Sequence, residues 1–308
     1  MAHKLGLIVP TLNAGAVWPR WLDALETQTR QPDCLLLIDS SSTDDTVSLA
    51  RERGFEVRVI PRSEFNHGGT RQWGMGLMPD ADVVLFLTQD ALLASPEAIA
   101  RLVESFEADA MVGAAYGRQL PHLDAGPIGT HARLFNYPAE SQLRTSDDRH
   151  RYGIKTAFLS NSFAAYRRKA LEAVGGFPCD TIMNEDTFVA GRMLIAGWKI
   201  AYRADAPVRH SHDYSFAMEF RRYFDIGVFH ARNRWMRDWF GDTDGEGWRF
   251  LASELRYLSR NAPWLLPSAM VRTGLKWLGY KLGCKFHHGL PVAVKRRFSL
   301  HTAYWSRA

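Results

Sequence analysis

The sequence predicts an α/β fold: a doubly wound, mostly parallel sheet with flanking helices, followed by a basic amphipathic helical segment. Three observations carry this reading. Short apolar runs alternate with stretches of helical periodicity through the first ninety residues, the pattern of a parallel sheet. Polar and acidic residues stand just past the ends of those runs. Charge is also divided unevenly along the chain. From Gly247 onward there are eleven basic residues and one acid, Glu254, against 27 basic and 32 acidic residues before it.

The elements follow in order. Leu5 to Val9 is a short strand closed by Pro10. Trp18 to Gln28 places Trp18, Trp21, Leu22 and Leu25 at helical spacing. Cys34 to Ile38 is apolar throughout, as a strand covered on both faces must be. Asp39-Ser-Ser-Ser-Thr-Asp-Asp is a turn that supplies caps for a helix through Thr46 to Arg53. Val57 to Ile60 and Val83 to Leu87 are the third and fourth strands. Gly113 to Tyr152, rich in Gly, Pro, His and Asp, reads as loops over a site. Leu159 to Tyr166 is a strand, Glu185 to Ala196 a helix ended by Gly197, and Lys199 to Arg203 another strand. Ala217 to Trp239 reads as one long aromatic-rich helix. Between Val271 and Phe286, Val271, Leu275, Leu278, Leu282 and Phe286 share one helical face, with Arg272, Lys276, Lys281 and Lys285 beside it. Cations at the rim of an apolar face suit a helix lying on a membrane surface. Trp248, Trp264, Trp277 and Trp305 add interfacial aromatics.

Bulk properties exclude several classes. At 308 residues and 46% hydrophobic, the chain is long enough for a substantial core. Its three cysteines, Cys34, Cys179 and Cys284, are too scattered for a disulfide framework or a zinc knot. The opening MAHKLGLIVPTLN has too short an apolar run for a secretory signal, and no run reaches the ~18 apolar residues of a spanning helix. The expectation is a cytoplasmic protein, peripheral on the inner membrane, whose basic tail seeks an anionic surface. No nucleic-acid-binding module is present.

Four patches carry chemistry. Ligands of open α/β sheets bind outside the carboxyl ends of the strands. Asn13, Asp39 and Asp90 all lie just past such ends and share one edge. The first patch is Val9-Pro10-Thr11-Leu12-Asn13 with Asp39 and the serines after it; it lacks the glycine fingerprint of a nicotinamide dinucleotide site. In the second, Phe65 to Gly74, paired Gly68 and Gly69 allow close backbone approach, and His67 and Arg71 suit a phosphate. The third is Thr88-Gln89-Asp90, where the acid either caps a following helix or holds a divalent cation. The fourth joins Asn184-Glu185-Asp186, a cap or a general base, to His210 and His212. Those two alternate, so on a strand they face one side, where one or both complete a metal site.

In this order the patches resemble the family-2 glycosyltransferases of the GT-A fold. VPTLN, LLLIDSSSTDDT, TQD and NED are the landmarks. FNHGGTRQWG and HSHDYSFAMEFRRYFDIGVFH are similar to the bacterial rhamnosyltransferase branch. The resemblance runs from about Leu5 to Arg234. It implies a glycosyltransferase domain over 1–240, with a nucleotide-binding half to about 112 and an acceptor half from 113, and a membrane-associating tail over 241–308. It also implies dTDP-L-rhamnose as donor, with a UDP-sugar as the nearest rival. The acceptor is then a lipid-linked or oligosaccharide precursor of a cell-surface glycan such as lipopolysaccharide. Transfer inverts the anomeric centre and uses Mg²⁺ or Mn²⁺. Carried onto this chain, Pro10, Thr11, Asn13, Asp39, Ser41, His67, Gly68, Gly69, Arg71 and Gln89 bind the donor. Asp90 binds metal, with His210 or His212 as a further ligand, and Asp186 is the base beside Glu185. Two positions depart from the family pattern: TQD has one acid where many relatives have D-x-D, and Gln72 stands where Asn is usual.

Overall fold

A computed structural model describes residues 3–241 and 244–306. Its strands are β1 (Leu5–Thr11), β2 (Cys34–Asp39), β3 (Glu56–Val59), β4 (Val83–Leu87), β5 (Leu92–Leu93), β6 (Val112–Leu120), β7 (Gln142–Arg144), β8 (Phe163–Arg167) and β9 (Lys199–Arg209). The helices of the first half are α1 (Trp18–Glu26), α2 (Thr46–Glu52), α3 (His67–Leu77), α4 (Ala98–Ala108) and α5 (Pro127–Asn136). Next come α6 (Arg149–Tyr152), α7 (Arg168–Ala173), α8 (Glu185–Ile195) and α9 (Phe216–Arg232). The last are α10 (Arg234–Phe240), α11 (Asp244–Asn261), α12 (Leu266–Phe286) and α13 (Val292–Phe298).

The sheet runs β3-β2-β1-β4-β8-β6-β9-β5, with β7 on β9. Pairing among β1 to β4 is parallel, as expected. Beyond β4 the sheet is mixed: β8 is antiparallel to β4 and β6, whereas β9 is parallel to β6. The apolar run of β4 is explained by two-sided burial. Val83, Leu85 and Leu87 pack into one core, Val84 and Phe86 into the other, and all five are fully buried. Side-chain alternation along a strand requires this split. Strand order switches at β1, with β2 on one side and β4 on the other, so the ends of β1, β2 and β4 open onto one crevice.

Three expectations are corrected. The span from 113 to 152 is not loop; it holds most of β6, then α5, β7 and α6. Its small residues and scattered cations hid the periodicity, because β6 is built from Val-Gly-Ala-Ala-Tyr-Gly rather than from large aliphatics. The helix predicted from Ala217 to Trp239 breaks at Asn233, whose backbone leaves the helical region at φ −115°, ψ 52°. The strand predicted over Leu159 to Tyr166 begins only at Phe163, leaving Leu159 to Ser162 as a turn facing the crevice.

The C-terminal segment does not stand apart from the first 240 residues. α12 lies against α9 through glycines. A Cβ at Gly279 would sit 2.4 Å from the Phe220 carbonyl oxygen, and one at Gly283 would sit 2.0 Å from that of Phe224. Gly227 on α9 approaches the Tyr280 carbonyl in the same way. The buried seam of α12 is therefore Ala269, Gly279 and Gly283, not the predicted apolar face. Val271, Leu278 and Phe286 are left exposed, together with Trp264 and Trp277. Arg272 and Lys276, expected at a membrane rim, turn inward and pair with Glu219 at 3.4 and 3.6 Å.

Candidate functional site

Two adjoining chambers open at the strand ends, of about 630 and 890 Å³. His67, Arg71, Thr88, Asp90 and His301 line both. The larger also takes in Pro10, Thr11, Leu12, Ser40, Gln89 and Arg62. The smaller takes in Glu185, Asp186, His210, His212, Arg133 and Arg222.

The β1–β2 edge spends its polar groups on itself. Asp39 is fully buried; its Oδ1 accepts from the Thr11 and Ser42 hydroxyls at 2.8 and 2.5 Å, and its Oδ2 from the Ser42 amide at 2.7 Å. Its carboxylate thus orders the loop and does not line either chamber. Gln89 ties β4 to β1 by exchanging two hydrogen bonds with the Leu12 backbone. Asn13 accepts from the Thr43 amide, and the Ser41 hydroxyl donates to the Ile60 carbonyl. Asn13, Ser41 and Asn184 adopt left-handed φ of 46°, 62° and 59°, and all three flank the crevice. Such strain collects where a site over-determines the backbone.

The helix after the second patch is capped by Asn66, whose Oδ1 accepts from the Gly69 amide at 2.7 Å. Gly68 does permit a close approach, but to protein: a Cβ there would lie 1.8 Å from the Pro178 carbonyl oxygen. One turn on, Arg71 is buried against the Phe86 ring, pairs with Glu185 Oε1 at 2.9 Å and donates to the His67 carbonyl.

Asp90 caps no helix, because β5 follows it and α4 begins only at Ala98. It meets His210 and His212 instead, with ring Nε2 atoms 3.4 and 3.8 Å from Oδ2. Ligand atoms of all three lie within 4.8 Å of one another. His210 Nδ1 is 2.9 Å from Gln119 Oε1, which also accepts from Arg133. Arginine only donates, so this Gln119 atom is the oxygen and the His210 proton sits on Nδ1. The Nε2 lone pair then faces a carboxylate oxygen. A proton or a divalent cation between them satisfies both, and a nitrogen fixed through its partner is the usual outer support of a metal ligand. The donor set of two imidazoles and a carboxylate fits a divalent transition ion better than Mg²⁺.

Glu185 and Asp186 open α8. Glu185 is neutralised by Arg71 and Asn161 Nδ2. Asp186 accepts from Asn161 N at 3.0 Å, from Thr187 N at 2.7 Å and, at 3.4 Å, from the Thr187 hydroxyl. Burial and then the neighbouring Glu185 charge raise its pKa to about 6, whereas Arg71 offsets burial and holds Glu185 below its usual range. Two adjacent acids with separated pKa values suit one fixed charge and one proton acceptor.

Several lining residues escaped the sequence reading: Gln119, Arg133, Asn161, Arg222, Arg232 and His301. Tail basicity was the available signal for Arg272 and Lys276; for the others none existed without the fold.

A family model described as glycosyltransferase like family 2 matches residues 3–237. The chain is 50% identical to the O-antigen chain rhamnosyltransferase RfbN of Salmonella typhimurium over 304 residues, covering 98% of this chain and 96% of that protein. It is 51% identical to the O-antigen chain rhamnosyltransferase WbaN of Salmonella anatum over 301 residues, covering 97% and 95%. Among solved structures, the mannosyltransferase PcManGT of Pyrobaculum calidifontis, in complex with GDP-Man and Mn²⁺, superposes with a TM-score of 0.63 at 18% identity, covering 93% of this chain and 88% of that one. That likeness is one of fold, a GT-A-type mixed sheet. With the family matched over most of its length, the chain belongs to glycosyltransferase family 2.

Proposed function

We propose that this chain is an inverting rhamnosyltransferase that extends an O-antigen-type surface glycan, taking L-rhamnose from dTDP-L-rhamnose. The observation that carries the reading is the half-identity, over nearly the whole of both chains, to two proteins named for that activity. The chamber geometry supports it. The donor lies in the larger chamber between the ends of β1, β2 and β4, its diphosphate toward Arg71 and His67. The acceptor enters the smaller chamber with its hydroxyl at Asp186.

Asp186 takes the hydroxyl proton as the oxygen bonds to the anomeric carbon. The bond to the diphosphate breaks on the opposite face, inverting the centre, and the electron pair leaves on the diphosphate. Arg71, held by Glu185, offers a pre-aimed guanidinium to that growing charge. Asp90, His210 and His212 would hold a divalent ion, which when bound supplies further charge to the diphosphate. Asp39 acts from beneath, as the residue that shapes the loop under the nucleoside. The exposed aromatics of α12, with the surrounding lysines and arginines, rest on an anionic membrane surface that carries a lipid-linked acceptor. No helix among the described residues is long and apolar enough to cross a membrane.

The test is transfer itself. Purified protein with dTDP-L-rhamnose and a lipid-linked glycan precursor should form an α-rhamnoside, with UDP-sugars inert and a chelator abolishing turnover. Turnover with a UDP-sugar instead would reassign the donor.

A further inference from the structure

The donor chamber has a wall that the mechanism above does not use. Leu300, His301, Thr302, Ala303 and Tyr304 line it, although the family match ends at residue 237. This strap follows α13 and is tied down at two points. Asp225, fully buried on α9, accepts backbone N–H groups of Leu300 and His301 through Oδ2 at 2.8 and 3.4 Å. Arg232, at the end of α9, donates to the Tyr304 hydroxyl and lies over its ring, 5.3 Å from the centroid. A buried carboxylate is costly unless its charge is met. Here two successive main-chain donors converge on Oδ2, which fixes the direction of the residue that carries the second, while burial raises the Asp225 pKa to about 7. That residue is His301. Its ring meets the His67 ring edge-on at 5.0 Å and lines both chambers, as do, among the described residues, His67, Arg71, Thr88 and Asp90.

We propose that His301 contacts the donor: it donates a ring N–H to an oxygen at the junction of sugar and diphosphate, and Asp225 is the positioning residue that holds it there. This rests on the donor-site reading above. The junction is where the two chambers meet, and a side chain lining both can reach only that part of an extended nucleotide sugar. Burial, then the nearby His67, pulls the His301 pKa down to about 3, so the ring enters as a neutral group with a single donor.

Calorimetry on the full chain with dTDP and with dTDP-L-rhamnose compares wild type, His301→Ala, His301→Gln and Asp225→Asn. Steady-state transfer supplies donor and acceptor KM for the same proteins. Losing one hydrogen bond to a charged oxygen should weaken donor binding about ten- to a hundred-fold in His301→Ala. Donor KM should rise while acceptor KM holds, and His301→Gln, which keeps an N–H, should recover part of the loss. Weakening of both ligands puts the contact on the diphosphate; weakening of the nucleotide sugar alone puts it on the sugar. Asp225→Asn should weaken donor binding in the wild-type background and add nothing to His301→Ala, because it acts through the same side chain. Equal donor affinity in wild type and His301→Ala overturns the contact. A full Asp225→Asn loss that persists in the His301→Ala background overturns the positioning role. A wild-type protein that binds neither ligand overturns the donor-site reading first, and the strap inference with it.

Discussion

At the scale of single residues, Asp186 and Glu185 show how two neighbouring acids take different parts. Arg71 and Asn161 both serve Glu185, and Asp186, buried beside that like charge, is met by uncharged donors from Asn161 and Thr187. Its pKa of about 6 has two consequences. A base must be deprotonated to accept, so kcat/KM should fall as pH drops through about 6 rather than about 4. For stability the raised folded-state pKa means that the charge costs the fold nothing below pH ~4 and its full amount above about 6. Asp186→Asn should therefore lose ~10²–10⁴-fold in turnover, the contribution of a positioned base. The same variant should melt higher than wild type at pH ~7.5, above the Asp186 pKa, and equal to it near pH ~4. Normal turnover in Asp186→Asn would move the base to Glu185 or make the pair a helix cap. Gln119 is the second residue-scale case. It fixes the His210 tautomer, so Gln119→Leu should weaken Mn²⁺ binding ~10–100-fold, measured by titration calorimetry without substrate. Unchanged affinity would mean that His210 is not a ligand.

At the scale of elements, α12 is positioned by what it lacks. Gly279 and Gly283 let its backbone reach α9, and this approach is what carries Arg272 and Lys276 into the smaller chamber. Gly283→Ala would place a Cβ 2.0 Å from a backbone carbonyl, which cannot swing aside as a side chain can. Overpacking of this kind costs ~1–3 kcal/mol, and urea unfolding should read that loss. Acceptor KM should rise in the same variant because the two cations move with the helix. The exposed flank makes the opposite prediction. Trp264 and Trp277 are 73% and 62% exposed, so changing both to Ser should leave the melting temperature unchanged. It should reduce flotation with anionic liposomes, an effect that added salt deepens by screening the remaining lysines and arginines. Equal flotation would remove the membrane role from this face.

At the scale of the whole molecule, the two chambers exist because strand order switches at β1 and because the C-terminal strap returns to that switch point. The tail is thus part of the site as well as an outer surface. Deleting everything from Gly247 should cost donor affinity as well as membrane attachment, since it removes the strap along with buried Leu258 and Trp305. Calorimetry with dTDP on the truncated chain checks this; undiminished affinity would restore a tail separable from the catalytic body.

By itself the sequence determined the parallel half of the sheet, the family, and the residues that gather at the strand ends. These are local matters. Apolar runs such as Val83 to Leu87 must be buried, and Asp90, Asp186, His210 and His212 are chemically conspicuous wherever they stand. The tertiary structure alone decided which groups remain available. Asp39 looked like a ligand until Thr11 and Ser42 were found to occupy its oxygens. Gly68 and Gly69 suggested a ligand cradle, yet Gly68 makes room for the Pro178 carbonyl. Periodicity marked the apolar face of α12 but not the face that packs, because backbone contact through two glycines contributes nothing to an apolar pattern. His301 gave no signal at all, since its neighbours at the site come from α3, β4 and α9, and only the folded chain brings them within reach.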